Sequence, residues 1–509
     1  MRALPDAFAP YAWAPSTQEL AAEAGLDPSE IVRFDANTRA WPPASARPGA
    51  IAGALARVNG YAHGGHAELI AAVADYAGVD ATNVVLGAGA DDLILLCARA
   101  FAGPGDEVAI AHEQTYPLYR IAAGLAGADV GDADPALTFC CRPNNPTGEL
   151  GALPAARPLV VDEAYFEYAG ETAVDLIEGG VVVLRTFSKA FGLAGARVGY
   201  ALASRDVAEE LNRRQAPLPV STVSAALALA ALREPPDVRD EIEERERLAA
   251  ALRALGLEPS PSEANFLYVP VEDADALAAR LLRSGVVVRV SAGAVRVTVR
   301  DREDDDLLLE ALARALDRPS PVAPAGGRSV RHVRATAETR IGVRLALDGA
   351  GRVRVATGAG LYDHLLEQLA FHGGFDLVLE GTGDLETGEH HTAEDAALAL
   401  GQALDRALGD RRGIARYGDA VVPMDDALAR VAVDLGGRPW AELELADDPG
   451  LAGHALQSLA QAARMSLHVR AEGRDPHHVA EAAFKAGGRA LRAAVRVESS
   501  GIPSTKGSL

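Results

Sequence analysis

Short apolar runs recur through the first part of the chain, each bounded by turn residues and followed by a helical segment. NVVLGAG (83–89), EVAIAH (107–112), LVVDEAY (159–165) and VVVLRTFS (181–188) are of strand length and apolar on successive positions. That is the pattern of strands buried on both faces, so alternation with helices predicts an α/β domain with a largely parallel sheet. DVRDEIEERERLAAALRALG (237–256) reads as a long amphipathic helix, and NFLYVPV, VVVRV and AVRVTV after it predict a smaller α+β domain. We place the large domain at about 45–215 and the small one at about 1–44 and 216–318. The proline, alanine and glycine stretch PSPVAPAGG opens a linker over 319–328, and a second pattern fills 329–509.

In the second part, VRHVRATAETRIGVRLAL alternates as a strand with one exposed face, and an internal repeat follows. DHLLEQLAFHGGFDLVLE with EHHTAEDAALALGQALDRAL can be laid over GHALQSLAQAARMSLHVR with PHHVAEAAFKAGGRALRAA. Each copy predicts helix, strand, loop, and a helix opening on His-His-x-x-Glu. His364 aligns with His454, His390-His391 with His477-His478, and Glu394 with Glu481.

Composition narrows the function. A net charge of -22 argues against nonspecific binding to nucleic acid or to an anionic membrane. No run of apolar residues is long enough to span a bilayer, and no basic-then-apolar leader opens the chain. Cys97, Cys140 and Cys141 are not spaced as zinc ligands, and reduced thiols in the cytoplasm are expected. Only three of the 49 basic residues are lysines: Lys189, Lys485 and Lys506. A lysine amine can lose its proton and form an imine, which arginine cannot do.

The duplicated histidines point to metal. Neighbours on a helix diverge by about 100°, while residues three or four apart share a face. We therefore expect His391 to converge with Glu394 and His478 with Glu481, leaving His390 and His477 to point elsewhere. Two copies supply enough imidazole and carboxylate for two metals, and the diverging ligands suggest completion by a neighbouring subunit. Donors without thiolate suit manganese, iron or zinc. His332, His372 and His468 lie outside the constellation and are assigned to packing or surface.

From about Val330 onward, TAETRI, TGAGLYDHLLEQLAFHGGFDL, GDLETGEHHTAED, GIARYG, PMDDAL, DLGGRP, GRDPHHVAEAAFKA and IPSTKG closely resemble imidazoleglycerol-phosphate dehydratase. The resemblance implies an α+β fold with internal duplication of a βαβ-containing half, two Mn2+ per site, and a 24-subunit shell with sites between subunits. It carries over His364, His390, His391, Glu394, His454, His477, His478 and Glu481 as metal ligands. Glu338, Gln368, Arg416, Arg438, Ser504 and Lys506 would be substrate contacts, with Glu338 a candidate for moving a proton. Glu394 and Glu481 count as catalytic through the metals they hold. Two departures from the family's wording are Gly436, where Ser is common, and Asp475, where Asn is common.

The first part carries a different chemistry. TFSKAFGLAGARVGY sets a lysine after a strand beside Thr, Ser and Arg, and LVVDEAY ends a strand on Asp and Tyr. Pyridoxal phosphate requires such parts: an amine, an acid for the pyridine nitrogen, donors to the ring oxygen and phosphate ligands. Lys189 would be the amine and Asp162 the acid, with Tyr165 and Asn145 the ring-oxygen donors. Thr186, Ser188, Arg197 and the turn Gly89-Ala90-Asp91 would hold the phosphate, and Tyr116 would stack on the ring. With RPNNPTG, SEANFLYV and VRVTV, these stretches resemble histidinol-phosphate aminotransferase over roughly 15–316. That resemblance implies an α/β fold type I transferase acting as a dimer. In it, Tyr61 would reach the partner's cofactor phosphate, Arg296 would bind the substrate carboxylate and Asn37 would contact substrate. FDANTRAWPP, YAHGG and Arg300 depart from the usual wording.

The two resemblances name consecutive steps of histidine biosynthesis. The dehydratase releases imidazole-acetol phosphate, the ketone that the aminotransferase aminates with glutamate. The chain is thus expected to be a bifunctional homo-oligomeric enzyme of small-molecule substrates. Two alternatives stay open: another fold type I aminotransferase or decarboxylase in the first part, or a metal-stabilised assembly scaffold in the second.

Overall fold

The computed structural model describes residues 10–11, 13–39, 43, 46, 48–322, 328–349, 351–446, 450–498 and 501–503. They fall into two compact units, Met1–Val322 and Ala323–Leu509. Among the described residues, no helix is long and apolar enough to cross a membrane.

The first unit is built on a seven-stranded sheet. Its order is Val84–Gly87, Gly199–Leu202, Val181–Thr186, Leu159–Asp162, Pro135–Cys141, Glu107–Ile110, Asp129–Val130. Gly199–Leu202 runs antiparallel to both neighbours and the remaining pairs are parallel. Alternate residues of one strand enter different cores. Val181 and Val183 pack beneath the helices Ala67–Ala77 and Thr222–Arg233, whereas Val182 and Leu184 pack beneath Ala90–Phe101 and Leu118–Ala126. A strand covered on both faces has no polar side, which explains the unbroken apolar runs.

Helix Thr222–Arg233 departs from the expected domain limit. Ala225, Ala228 and Ala231 bury in the large-domain core, because a stripe of small side chains lets this helix lie close against it. The smaller domain therefore begins beyond it. It holds an antiparallel sheet in the order Arg289–Ser291, Ala294–Thr298, Phe266–Pro270, with Val32–Arg33 paired parallel to Val286–Val287.

The second unit is a duplicated half. One four-stranded sheet has the order Ser329–Ala335, Thr339–Ala346, Asp376–Gly383, Val353–Ala356. The other repeats it with Tyr417–Met424, Ala427–Asp434, Ser466–Glu472, Trp440–Leu445. In each, the final two strands are parallel and joined by a helix, Gly360–Gly373 or Ala452–Ala462. The stretch expected as one strand from Val330 is a hairpin. Thr336 Oγ1 accepts the N–H groups of Glu338 (3.2 Å) and Thr339 (3.0 Å), folding the turn that an alternating pattern cannot mark.

These sheets bury one face against a shared helical core, so Ala427–Asp434 buries Ala427, Ala429, Val431 and Val433 while Arg430 and Ala432 are exposed. Helix His390–Leu408 packs on Ala452–Ala462 of the other half, and Pro476–Val495 on Gly360–Gly373. Gly401 and Gly488 make both crossings possible. A Cβ on Gly401 would lie 2.7 Å from the Leu459 carbonyl oxygen, and one on Gly488 would lie 2.2 Å from the Leu369 carbonyl oxygen.

Candidate active sites

The first site gathers at the carboxyl ends of the central strands, where open α/β sheets place their ligands. Asp162 ends its strand fully enclosed, accepting the Tyr119 hydroxyl on Oδ2 (2.7 Å) and the Ala164 N–H on Oδ1 (3.1 Å). Burial pushes its pKa up to about 6 against those two bonds. Lys189 follows the neighbouring strand, and desolvation brings its amine down to about 8. Arg296 and Arg197 add to that lowering, while Asp91 and Asp162 oppose it. The Lys189 nitrogen lies 5.7 Å from the centre of the Tyr165 ring.

Around them, Asn37 Nδ2 donates to the Tyr165 hydroxyl (2.9 Å), and Arg296 Nη1 donates to Asn145 Oδ1 (2.6 Å). Arg296 Nη2 bonds the Asp35 carbonyl (2.6 Å), while its buried Nε has no partner. Asn37 is thus spent on holding Tyr165, a use the substrate-contact expectation did not include. Thr186 Oγ1 donates to Ser188 Oγ (2.9 Å), and Arg197 pairs with Asp91 (2.9 Å), which also accepts the Tyr116 hydroxyl (3.1 Å). Gly89, at φ 88°, caps the helix that begins at Ala90 without any side-chain bond. A Cβ there would lie 2.8 Å from Arg197 Nη2.

A low-pKa amine, a buried acid, a helix start with no side-chain cap and a buried unpaired guanidinium nitrogen fit pyridoxal phosphate and a carboxylate substrate. Tyr61 is 84% exposed in the single chain. Arg300 does not enter the site: Nε donates to buried Asp304 (2.7 Å) and Nη1 to the Arg33 carbonyl (3.1 Å).

Two residues that sequence reasoning passed over belong here. Tyr119 orients Asp162, and only its spacing of three from Tyr116 on the same segment could have drawn attention to it. Tyr11 lies near enough to add, behind desolvation and Asp91, to the upward shift of the Tyr116 hydroxyl.

The second unit brings the histidines into two triads: His364, His477 and Glu481, and His390, Glu394 and His454. In each, the candidate donor atoms lie within 4.8 Å of one another. Glu481 is 3.6 Å from both His364 Nε2 and His477 Nε2, and Glu394 is 3.6 Å from both His390 Nε2 and His454 Nε2. The rings stack pairwise, His364 on His477 at 5.9 Å and His390 on His454 at 5.0 Å. Each triad joins one half's His-His-x-x-Glu helix to the other half's lone histidine, across the crossing that Gly401 or Gly488 permits.

This corrects the expected pairing. Glu394 and Glu481 converge with His390 and His477 four residues back, not with His391 and His478. Both spacings border one helix face, since i+3 and i+4 deviate from it by only about 60° and 40° on opposite sides. Surrounding carboxylates decide between them. His391 Nδ1 lies 3.0 Å from Asp384 Oδ2, and His478 Nδ1 lies 2.6 Å from Asp426 Oδ1. These contacts raise both imidazole pKa values.

His454 Nε2 is buried without a hydrogen-bond partner, so its donor set beside the Glu394 carboxylate fits a cation. Lys485 Nζ lies 2.8 Å from Glu481 Oε1 and 3.3 Å from Met424 Sδ. Burial works to raise the Glu481 pKa, and the Lys485 contact with the His364 and His477 charges outweighs it.

The expected substrate contacts are more scattered. Gln368 sits one turn past His364 on the same helix, and exposed Glu338 lies 3.8 Å from His391 Nδ1. Arg416 chelates Asp434 (2.7 and 3.1 Å) and donates to the Pro503 carbonyl (3.0 Å). Arg438 is exposed, and Ser504 and Lys506 lie outside the described residues. His332 is buried on Gln402, but His468 is exposed on the open sheet face rather than packed.

Comparison with known proteins separates the two parts. The aminotransferase class I and II model matches 31–135 and 131–312, and the imidazoleglycerol-phosphate dehydratase model matches 357–491. An imidazoleglycerol-phosphate dehydratase of Methanothermobacter thermautotrophicus is 53% identical over 184 residues, 35% of this chain and 95% of that protein. One from Salinispora tropica is 49% identical over 204 residues, 36% of this chain and 99% of that protein. Among solved structures, histidinol-phosphate aminotransferase of Sinorhizobium meliloti with pyridoxal-5'-phosphate covers 61% of this chain and 98% of its own, at TM-score 0.55 and 25% identity. Aspartate aminotransferase of Thermotoga maritima shares the fold at TM-score 0.50 and 23% identity, covering 60% of this chain and 97% of its own. The chain therefore belongs to the class I and II aminotransferases through its first unit and to the imidazoleglycerol-phosphate dehydratases through its second.

Proposed function

We propose that this chain carries out two successive reactions of histidine biosynthesis. Its second unit dehydrates imidazoleglycerol phosphate to imidazole-acetol phosphate, and its first converts that ketone with glutamate to histidinol phosphate and 2-oxoglutarate. The observation that carries the reading is the presence, in one chain, of a complete lysine–aspartate pocket and a duplicated histidine–glutamate set. The second family's product is the substrate of the aminotransferase that the first unit resembles.

In the first unit, pyridoxal phosphate would supply an electrophilic carbonyl and a ring that takes up electrons. Lys189 would hold or release the proton on its Nζ near neutral pH, since its amine lies at about 8. Asp162, fixed by Tyr119, would stay ionised facing the ring nitrogen, and Asn145 and Tyr165 would fix the ring oxygen. Thr186, Ser188, Arg197 and the N–H groups at Ala90 and Asp91 would hold a phosphate. Arg296 would bind the substrate carboxylate through its unpaired Nε. Tyr61, exposed here, would act on the partner in a dimer.

In the second unit, manganese held by the eight histidine and glutamate residues would polarise the imidazole ring of the substrate. Glu338 would accept or return the proton at the carbon beside the departing hydroxyl. Gln368, Arg438, Ser504 and Lys506 would bind substrate, with Arg416 seating the terminal segment from its bond to Pro503. His391 and His478, which stand outside the two triads, support completion of each site by a neighbouring copy in a 24-subunit shell. Apolar Tyr417, Val421 and Trp440, exposed on the open sheet face, support burial there. Three buried free cysteines support a cytoplasmic location.

The test is to assay each half separately. Dehydration of imidazoleglycerol phosphate should vanish on chelation and return with Mn2+. Amination of imidazole-acetol phosphate should depend on pyridoxal phosphate and survive chelation. Failure of either dependence sinks that half of the proposal.

A further inference from the structure

We infer that Asp384 and Asp426 are positioning residues that hold His391 and His478 with their Nε2 atoms presented as metal donors. The inference rests on the metal reading above. Neither aspartate belongs to the triads, and neither is marked by the internal repeat.

The contacts are specific. Asp384 Oδ2 lies 3.0 Å from His391 Nδ1 and accepts the Thr387 hydroxyl at 2.8 Å. Asp426 Oδ1 lies 2.6 Å from His478 Nδ1, and its Oδ2 accepts the N–H groups of Arg474 (2.6 Å) and Asp475 (3.0 Å). A histidine that donates Nδ1–H to a carboxylate keeps its Nε2 lone pair free, and the carboxylate strengthens that nitrogen as a donor. Other carboxylates face these rings from further off: Glu338, 3.8 Å from His391 Nδ1, with Asp395 beyond it, and Asp425, 3.7 Å from His478 Nε2, with Asp475.

The two supports come from inequivalent places. Asp384 follows the strand Asp376–Gly383 of its own half and precedes its histidine by seven residues. Asp426 sits in the hairpin between Tyr417–Met424 and Ala427–Asp434, 52 residues before its histidine. The duplication thus copied the ligands but not what orients them. Two backbone N–H groups anchor Asp426, whereas the Thr387 hydroxyl, a rotatable side chain, anchors Asp384, whose Oδ1 is buried without a partner. The His478 position is therefore the more rigid of the two.

The test uses the full chain stripped of metal and titrated with Mn2+ alone, by calorimetry and by the EPR signal of free Mn2+. Asp384→Ala and Asp426→Ala should each weaken Mn2+ binding by about 10–100-fold, the usual cost of removing such a partner, with Asp426→Ala the larger. Melting of the metal-free variants should match the parent, so that the loss appears only in the Mn2+-dependent gain. Should an alanine variant melt early without metal, the asparagine variant replaces it. There a several-fold loss supports the assignment, and a change under about 2-fold overturns it. Parent protein that binds Mn2+ beside folded variants that bind equally well overturns the positioning role alone. Parent protein that binds no Mn2+ overturns the metal reading itself.

Discussion

The lysine–aspartate pocket and the histidine triads hold their charges in opposite ways. Lys189 and Asp162 stand at the ends of strands covered on both faces, and burial moves both pKa values toward neutrality. In the triads, most donors are half-exposed, and the lone histidines His364 and His454 meet carboxylates from the other half of a duplicated unit. A site made by enclosure tunes its groups through desolvation. A site made by crossing helices tunes them through who faces whom, so it depends on close backbone approach.

The largest effect should come from removing the amine. Lys189→Ala should lower transamination by at least about 10³-fold, within the 10²–10⁴ range a positioned proton-transfer group contributes. Dehydratase rates measured on the same preparation should not change. Loss of both activities would break the separation of the two sites.

Next is a triad member. His454→Ala leaves Glu394 and His390 without the other half's donor and should lower dehydration by about 10²-fold or more, with one class of Mn2+ site lost from the titration. Gly401→Ala, which touches no donor, should act on the same site by prising the helices apart. An unaltered Mn2+ affinity in a folded Gly401→Ala protein would contradict the crossing account.

Arg300→Gly sharpens the enclosed side. Arg300 serves Asp304 rather than substrate, so kcat for transamination should hold within about 2-fold. Stability should fall by about 1.5–3 kcal/mol, the usual worth of a hydrogen bond to a charged group, as Asp304 loses its bond to Arg300, read by chemical denaturation.

The smallest effect is a pH dependence. Asp162 titrates at about 6 in the fold against an ordinary 3.8, so between those values the folded state binds more protons than the unfolded one. Stability contributed by Asp162 in cofactor-free protein must therefore fall as pH rises through that window. At about 1.4 kcal/mol per unit, Asp162→Asn should gain up to about 3 kcal/mol on the parent between pH 4 and 7, less the altered Tyr119 bond. A parent that gains on the variant over that range would reverse the sign.

Legibility in the sequence followed the same divide. Apolar runs disclosed the doubly covered sheet, and the repeat disclosed the duplicated half with its ligand residues. What pattern could not supply was contact between distant segments. Helical spacing alone left His390 and His391 both on the border of the Glu394 face, and Asp384 settled it from outside the helix. Tyr119 beneath Asp162 and the commitment of Arg300 to Asp304 were likewise invisible, because each needs a neighbour remote from any motif or a direction of side chain that composition does not encode. The hairpin turn at Thr336 was missed because its hydroxyl bonds imitate polar alternation.

The most direct measurement supplies the purified full chain with imidazoleglycerol phosphate, glutamate, pyridoxal phosphate and Mn2+, and follows products by mass spectrometry. The account predicts histidinol phosphate with equimolar 2-oxoglutarate. It predicts accumulation of imidazole-acetol phosphate when Lys189→Ala is used, and unconsumed substrate when His454→Ala is used. Imidazole-acetol phosphate that accumulates with the parent chain, glutamate and cofactor all present would contradict it.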